Sequence, residues 1–202
     1  MSASHMTEQG RATRQRIVAA AATLIGEGGV AGTTLDDVRA ATSASKSQLY
    51  HYFGDKHGLV EAVIDYQSVA VLGAQARALG AVRNWNDLER WAEGLVAMVD
   101  ERGGRGGCPL GTLAAALADT DERFRIALSD AFQSWRDAIG GALRRLRDNG
   151  LLAPDADLEA LTTMTLAAVQ GGLLLAKTSR DSSQLRAALA GAIAQVRVQG
   201  GS

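Results

Sequence analysis

Residues 33–56 read TTLDDVRAATSASKSQLYHYFGDK, and their spacing decides the fold. Thr34 followed by Asp37 has the form of a helix capping box, and Ser45 followed by Gln48 repeats it eleven residues later. The first box opens a short helix whose Leu35, Val38 and Ala41 supply a buried face. The second opens a helix in which Leu49 and Phe53, four apart, face inward and Tyr50, His51 and Tyr52 are left outward. Two such helices joined by Thr42-Ser43-Ala44 predict a helix-turn-helix. The second helix of that motif lies in the DNA major groove and presents its N-terminal side chains to base edges. Here Lys46, Ser47 and Gln48 fill the first turn, where backbone amides and the positive end of the helix dipole also favour a phosphate. Asp55 is placed to cap the following helix, with Lys56 in its first turn.

Upstream, TRQRIVAAAATLIGEGGV from Thr13 sets Ile17, Ala21, Leu24 and Ile25 on one stripe, with Arg14 and Arg16 off it. Gly28-Gly29 ends that helix. The unit is therefore three helices. MSASHM at the start resembles a cloning remnant and is set aside. Composition agrees with helices throughout: 202 residues, 47% apolar, two prolines and few β-branched runs. Net charge is −1, so the chain is no general polycation; residues 1–58 hold six Lys/Arg against five Asp/Glu. No apolar run approaches the eighteen or so residues of a membrane span, which with the absence of a signal peptide predicts a cytoplasmic protein and no membrane partner. Cys108 stands alone, excluding an internal disulfide or a multi-cysteine metal site, and it lacks the neighbouring base that a reactive thiol needs.

The stretch TTLDDVRAATSASKSQLYHYFGDKHGLVEAV resembles the DNA-binding signature of the TetR family of transcriptional repressors, over roughly residues 11–66. The resemblance implies an all-α chain with an N-terminal helix-turn-helix domain, residues 7–56, and a C-terminal helical ligand-binding and dimerisation domain, residues 57–202. It carries base and phosphate contacts onto Thr34, Lys46, Ser47, Gln48, Tyr50, His51 and Lys56, with Tyr52 beside them. Ser43 departs from the pattern where the family's turn commonly has Gly. Two roles stay open for Gln48, which either closes the capping box with Ser45 or reads a base. Tyr50 has the alternative of packing on the first helix.

Beyond residue 56 a long connecting helix is expected. A helix starting near Asn86 and Glu89 would bury Leu88, Trp91, Leu95, Met98 and Val99. ERGGRGG (101–107) reads as a loop, and Pro109 begins the next helix. A long amphipathic helix follows from about Asp121 to Asn149, with Leu128, Phe132, Trp135, Ile139, Leu143 and Leu146 spaced by three or four. The last two helices, about 157–177 and 181–198, have wide apolar faces and small residues at Ala167, Ala168, Gly171 and Gly172. They read as half of an intermolecular four-helix bundle, giving a homodimer.

GCPLGTLAAALAD, AFQSWRDAI and QGGLLLAK resemble the drug- or flavonoid-responsive members of the family. That resemblance implies a small apolar or aromatic effector against Trp91, Met98, Leu113, Phe132, Trp135, Met164 and Gln170; as pattern alone, each also reads as an ordinary core residue. The partners implied are a palindromic double-stranded DNA operator, the effector and a second copy of the chain. An enzyme is not expected, and no cofactor or metal is called for: there is no glycine-rich phosphate loop after a strand, no paired catalytic carboxylates and no cluster of metal ligands. An activator, or a regulator blind to ligands, would share the same DNA-reading unit.

Overall fold

The computed structural model describes residues 7–200; the MSASHM stretch lies outside them. Among the described residues there are nine helices and no strands: α1 (Glu8–Gly32), α2 (Leu35–Thr42), α3 (Lys46–Phe53), α4 (Lys56–Gly80), α5 (Trp85–Glu101), α6 (Pro109–Leu117), α7 (Glu122–Asp148), α8 (Leu158–Ser179) and α9 (Ser183–Val198). They gather into two compact units. One holds the chain through Val69 together with Leu113–Leu128; the other holds Ala70–Thr112 and the chain from Ser129 onward.

In the first unit, Ile17, Val18, Ala21, Ala22 and Ile25 of α1 form the buried stripe. Gly29 leaves the helical region (φ 74°, ψ 167°) and breaks α1 where the glycine pair predicts. In α2 the buried residues are Val38 and Thr42. Ala41, expected inside, is exposed. The helix ends there, and Thr42 turns inward with its hydroxyl donating to the Val38 carbonyl at 2.7 Å. Leu49 and Phe53 are buried as predicted. The unit is completed by Leu59, Val60, Val63 and Ile64 of α4 and by Leu113, Leu117, Phe124 and Leu128.

The second unit is built on long amphipathic helices. Asn84, two residues earlier than the expected Asn86, caps α5 by accepting from the Asp87 amide at 3.0 Å. Leu88, Trp91, Ala92, Leu95, Val96 and Val99 form its buried face. The loop after α5 is made possible by Gly103, Gly104, Gly106 and Gly107, all at positive φ. A Cβ on Gly104 would sit 2.6 Å from the Arg180 Cα, so glycine is needed there for close approach as well. Arg145 and Asn149 of α7 reach back to the chain after α4, donating to the carbonyls of Leu79, Val82 and Arg83 at 2.6–3.2 Å. The Leu79 and Val82 carbonyls also accept from the Val82 amide and from Arg83, so the end of α4 is held from both sides.

α8 and α9 pack along their lengths. By length and composition α8 is apolar enough to cross a bilayer, contrary to the sequence expectation. Its Leu161, Leu166, Val169, Leu173 and Ala176 are instead buried within the unit. The tight point of this packing is Gly172, where a Cβ would lie 2.7 Å from Leu185 Cδ1 and 2.9 Å from its Cα. Asp181, not Ser182, supplies the side-chain cap of α9, its carboxylate accepting from the Ser183 amide at 3.0 Å.

Candidate nucleic-acid interface

Both capping boxes form. Thr34 Oγ1 accepts from the Asp37 amide at 3.1 Å while Asp37 Oδ2 accepts from the Thr34 amide at 2.8 Å. Ser45 Oγ accepts from the Gln48 amide at 3.1 Å, and Gln48 Oε1 accepts from the Ser45 amide at 2.9 Å. Each box satisfies two helix-end donors and fixes the direction in which its helix leaves the turn. The turn itself needs one residue in the left-handed region, and Ser43 occupies it at φ 53°, ψ 22°. α3 closes on Gly54 (φ 75°), whose amide donates to the Tyr50 carbonyl at 2.9 Å. Asp55 Oδ1 then accepts from the Gly58 amide at 3.0 Å, so α4 starts immediately.

Two arginines that the sequence pattern leaves without a role pin this arrangement to α1. Arg16 donates through its guanidinium to the Thr42 carbonyl, satisfying the C-terminal end of α2. Arg14 lies over the Phe53 ring, 5.4 Å from its centroid, at the far end of α3. On a helical wheel of α1, Arg14 falls in line with the buried stripe one turn before Ile17 and Val18, whereas Arg16 falls on the opposite side and its spacing carries no signal of the contact.

The outward side of α3 carries the predicted residues. Lys46, Ser47, Gln48, Tyr50 and His51 are exposed, Tyr50 by 49% of its surface. The Lys46 ammonium stands 5.8 Å from the Tyr50 ring centroid. Tyr52 is half-buried, edge-on to His51 and Phe53 with ring centroids 5.2 and 6.1 Å away. Thr34 is exposed, but its hydroxyl is engaged with Asp37 at 2.7 Å. Hydrogen bonds from the Thr34 hydroxyl and amide, with help from the Lys56 charge, hold the Asp37 carboxyl below the usual carboxylate range. Lys56 is half-buried at the start of α4. Of the eight residues, Thr34 stands at the α2 cap, six lie on α3 and Lys56 opens α4. Their chemistry of donors, cations and ring edges suits the phosphates and groove edges of a duplex.

Beneath this face the α4 start is tied to the α7 start inside the same unit. His57 stacks on Phe124, centroids 4.2 Å apart and planes 21° apart. Arg123 lies 2.7 Å from His57 Nε2. The same Nε2 lies 3.6 Å from the carboxylates of Glu61 and Asp121. Arg123 also pairs with Glu61 at 3.4 Å and Asp121 at 3.6 Å. Hydrogen bonding to the Arg123 amide lowers the Asp121 pKa.

The seven residues predicted to line an effector site are divided. Leu113 belongs to the first unit; Trp91, Met98, Phe132, Trp135, Met164 and Gln170 belong to the second. Trp91 donates to Gln75 Oε1 at 2.8 Å. Trp135 is 1% exposed, yet its Nε1 has no hydrogen-bond partner. Gln170 lies beside Cys108, whose buried thiol is pushed up in pKa by desolvation, with the Gly111 amide donating to its sulfur at 3.4 Å. A separate surface groove of about 350 Å³ runs between α5 and α9, walled by Glu89, Glu93, Arg186 and Arg197 over Val96 and Ile193, and contains none of the seven. No group of three or more potential metal ligands occurs among the described residues.

Comparison with known proteins gives two family matches in sequence along the chain. Residues 17–63 match the bacterial regulatory proteins of the tetR family, and residues 85–191 match the C-terminal domain of LmrA/YxaF-like transcriptional regulators. An HTH-type transcriptional regulator encoded in the lacX 3′ region of Lactococcus lactis subsp. lactis is 31% identical over 180 residues, covering 87% of this chain and 88% of that protein. The Bacillus subtilis regulator LmrA is 26% identical over 181 residues, covering 86% and 90%. Among solved structures, a TetR transcriptional regulator from Chloroflexus aurantiacus superposes with a TM-score of 0.79 at 26% identity, covering 96% and 98%. A regulatory protein TetR from Rhodobacter sphaeroides superposes with a TM-score of 0.81 at 22% identity, covering 90% and 97%.

Proposed function

We propose that this chain, which belongs to the TetR family of transcriptional regulators, is a cytoplasmic repressor that binds a palindromic operator as a homodimer and is released by a small, largely apolar effector. The observation that carries the reading is α3. It is capped by its own Ser45 and Gln48, pinned to α1 through Phe53 and Arg14, and free on the face bearing Lys46, Ser47, Gln48, Tyr50 and His51. A helix held this firmly enters a groove without further ordering, so little of its binding energy is spent on conformational entropy.

Support for the dimer comes from the outer side of the last two helices. Thr163, Ala167, Gly171 and Leu174 on α8 and Ala187, Gly191, Ala194 and Val198 on α9 are exposed at helical spacing. Leu174 and Val198 are 62% and 74% exposed. Such small and apolar residues let a second copy's helices approach closely. A twofold axis then sets two recognition helices about 34–36 Å apart, matching half-sites one turn apart.

Support for the effector comes from Trp135. A buried N–H with no acceptor costs about 1–3 kcal/mol. An apolar molecule carrying an acceptor oxygen would relieve that cost on entering the second unit. Release requires the effector to favour the conformation with wrongly spaced recognition helices; equal affinity for both conformations shifts nothing. α4 carries the message, being one unbroken helix from Lys56 to Gly80 with residues in both units.

The test is selection of bound duplexes from random DNA by the full chain, followed by titration with candidate effectors. Recovery of an inverted repeat that an apolar effector dissociates supports the reading. Recovery of nothing above background refutes it.

A further inference from the structure

The loop after α5 and the corner between α8 and α9 gather positive charge inside the second unit. Arg102 stands at the C-cap of α5, Arg105 lies in the loop, Lys177 is in the last turn of α8 and Arg180 is its C-cap. Close backbone approach brings them together. As at Gly104 against Arg180, a Cβ on Gly107 would crowd Lys177, lying 3.2 Å from its Cδ. The Arg105 and Arg102 guanidinia fold back along the same loop, 3.8 and 4.0 Å from where a Cβ on Gly103 and on Gly106 would stand. Among the described residues, none of the four side chains makes an ion pair or a hydrogen bond.

The fold does not neutralise these cations. Two helix C-termini, of α5 and α8, and two N-termini, of α6 and α9, end within a few residues of them, so the partial charges of the helix ends cancel. Of the nearby acids, Asp100 is paired with Arg186 at 3.7 Å, and Asp181 accepts from the Ser183 amide at 3.0 Å. Four cations less Glu101 and Asp181 leave +2 on each chain. Arg180 is moreover held in the left-handed region, φ 57° and ψ 32°, which glycine adopts freely. A residue kept there against its preference points to a use for its side chain.

The form of the patch favours an extended anion. Arg102, Arg105 and Arg180 are exposed on long stems around an open loop, whereas a small ligand is held by an enclosing pocket. A polyanion needs only a run of cations, and its binding is driven by release of its own counterions. Gly107 stands six residues before Leu113, where the chain re-enters the unit that carries α3. Lys177 and Arg180 end α8, one of the two helices of the dimer face, so the patches of two copies flank the same twofold axis.

We propose that Arg102, Arg105, Lys177 and Arg180 form a second phosphate-binding surface, which in the dimer holds the duplex backbone between the two half-sites. It reads no base and adds affinity and salt dependence. This rests on the operator and dimer reading above.

The experiment uses the full chain and the inverted repeat that it selects. One duplex is natural; in the other, methylphosphonates replace the phosphates between the half-sites and remove their charge. Arg102→Gln/Arg105→Gln alters two exposed loop side chains, and Arg180→Gly removes a cation while relieving its backbone. Anisotropy titrations over a range of salt give affinities and slopes, and melts without DNA give stability.

With one phosphate held per copy, the double variant should lower the slope of log K against log salt by about 1.8 on the natural duplex and leave it unchanged on the neutralised one. Arg180→Gly should melt above wild type and yet bind the natural duplex more weakly, a combination that a residue serving only the fold does not give. Equal binding of both duplexes by wild type overturns the inference and leaves the operator reading intact, as does a double variant with an unchanged slope. Inorganic triphosphate that raises the melting temperature of wild type but not of the double variant, with the neutralised duplex bound normally, overturns it in favour of a small phosphate ligand. If Arg180→Gly does not fold, the double variant decides. A wild type that selects no duplex overturns the operator reading and this inference together.

Discussion

Lys46 is the first residue of α3, with Ser45 as its N-cap. A positive side chain there opposes the helix dipole, a cost of about 0.3–1 kcal/mol. Its ammonium recovers part of that over the Tyr50 ring at 5.8 Å, an exposed contact worth about 0.5–1 kcal/mol. The two terms nearly cancel, so Lys46→Gln should leave the melting temperature within about 2 °C of wild type or slightly above it. The effect on operator binding is of another size. Each lysine that neutralises a phosphate adds about 0.9 to the slope of log K against log salt, so losing one per protomer of a dimer removes about 1.8. That corresponds to about sixtyfold weaker binding at 0.1 M salt and about fivefold at 0.4 M. Anisotropy titrations across that salt range, beside thermal melts of the same samples, measure both quantities. A loss of affinity that is the same at every salt concentration would refute the phosphate role of Lys46. A melting temperature lowered by several degrees would show that the residue supports the fold instead.

Adjacent glycines of α8 separate internal packing from assembly. Gly172→Ala should destabilise the chain by about 1–3 kcal/mol because its Cβ meets the backbone of Leu185. Gly171→Leu, in open space, should leave the fold intact and shift sedimentation equilibrium toward monomer; a persistent dimer would exclude this face as the interface. Gln170→Leu removes the side-chain hydrogen bond to Cys108 and should blunt effector release of DNA; an unchanged effector response would remove Gln170 from the site. Because Asp37 ionises at lower pH folded than unfolded, it contributes stability above its ordinary value of 3.8 that drains away as pH falls through the folded value. Asp37→Asn should therefore flatten the acid limb of a stability-versus-pH curve, and an unaltered limb would contradict the geometry of the first capping box.

What the sequence made legible was local. Thr34/Asp37 and Ser45/Gln48 are three residues apart, and the physics that makes them caps is complete within one turn. Leu49 and Phe53 are likewise fixed by helix period alone. Asn84 and Asn86 are both competent caps and bury the same face, so spacing alone does not choose between them; in the structure the Asn84 side chain makes the cap bond, accepting from the Asp87 amide. Ala41 was misassigned because a helical period was extended to the very end of α2, where Thr42 turns in to bond the Val38 carbonyl. The effector site was the least legible part. Apolar spacing marks Trp135 and Leu143 alike as buried, and only the three-dimensional structure shows that the first carries a donor with no acceptor.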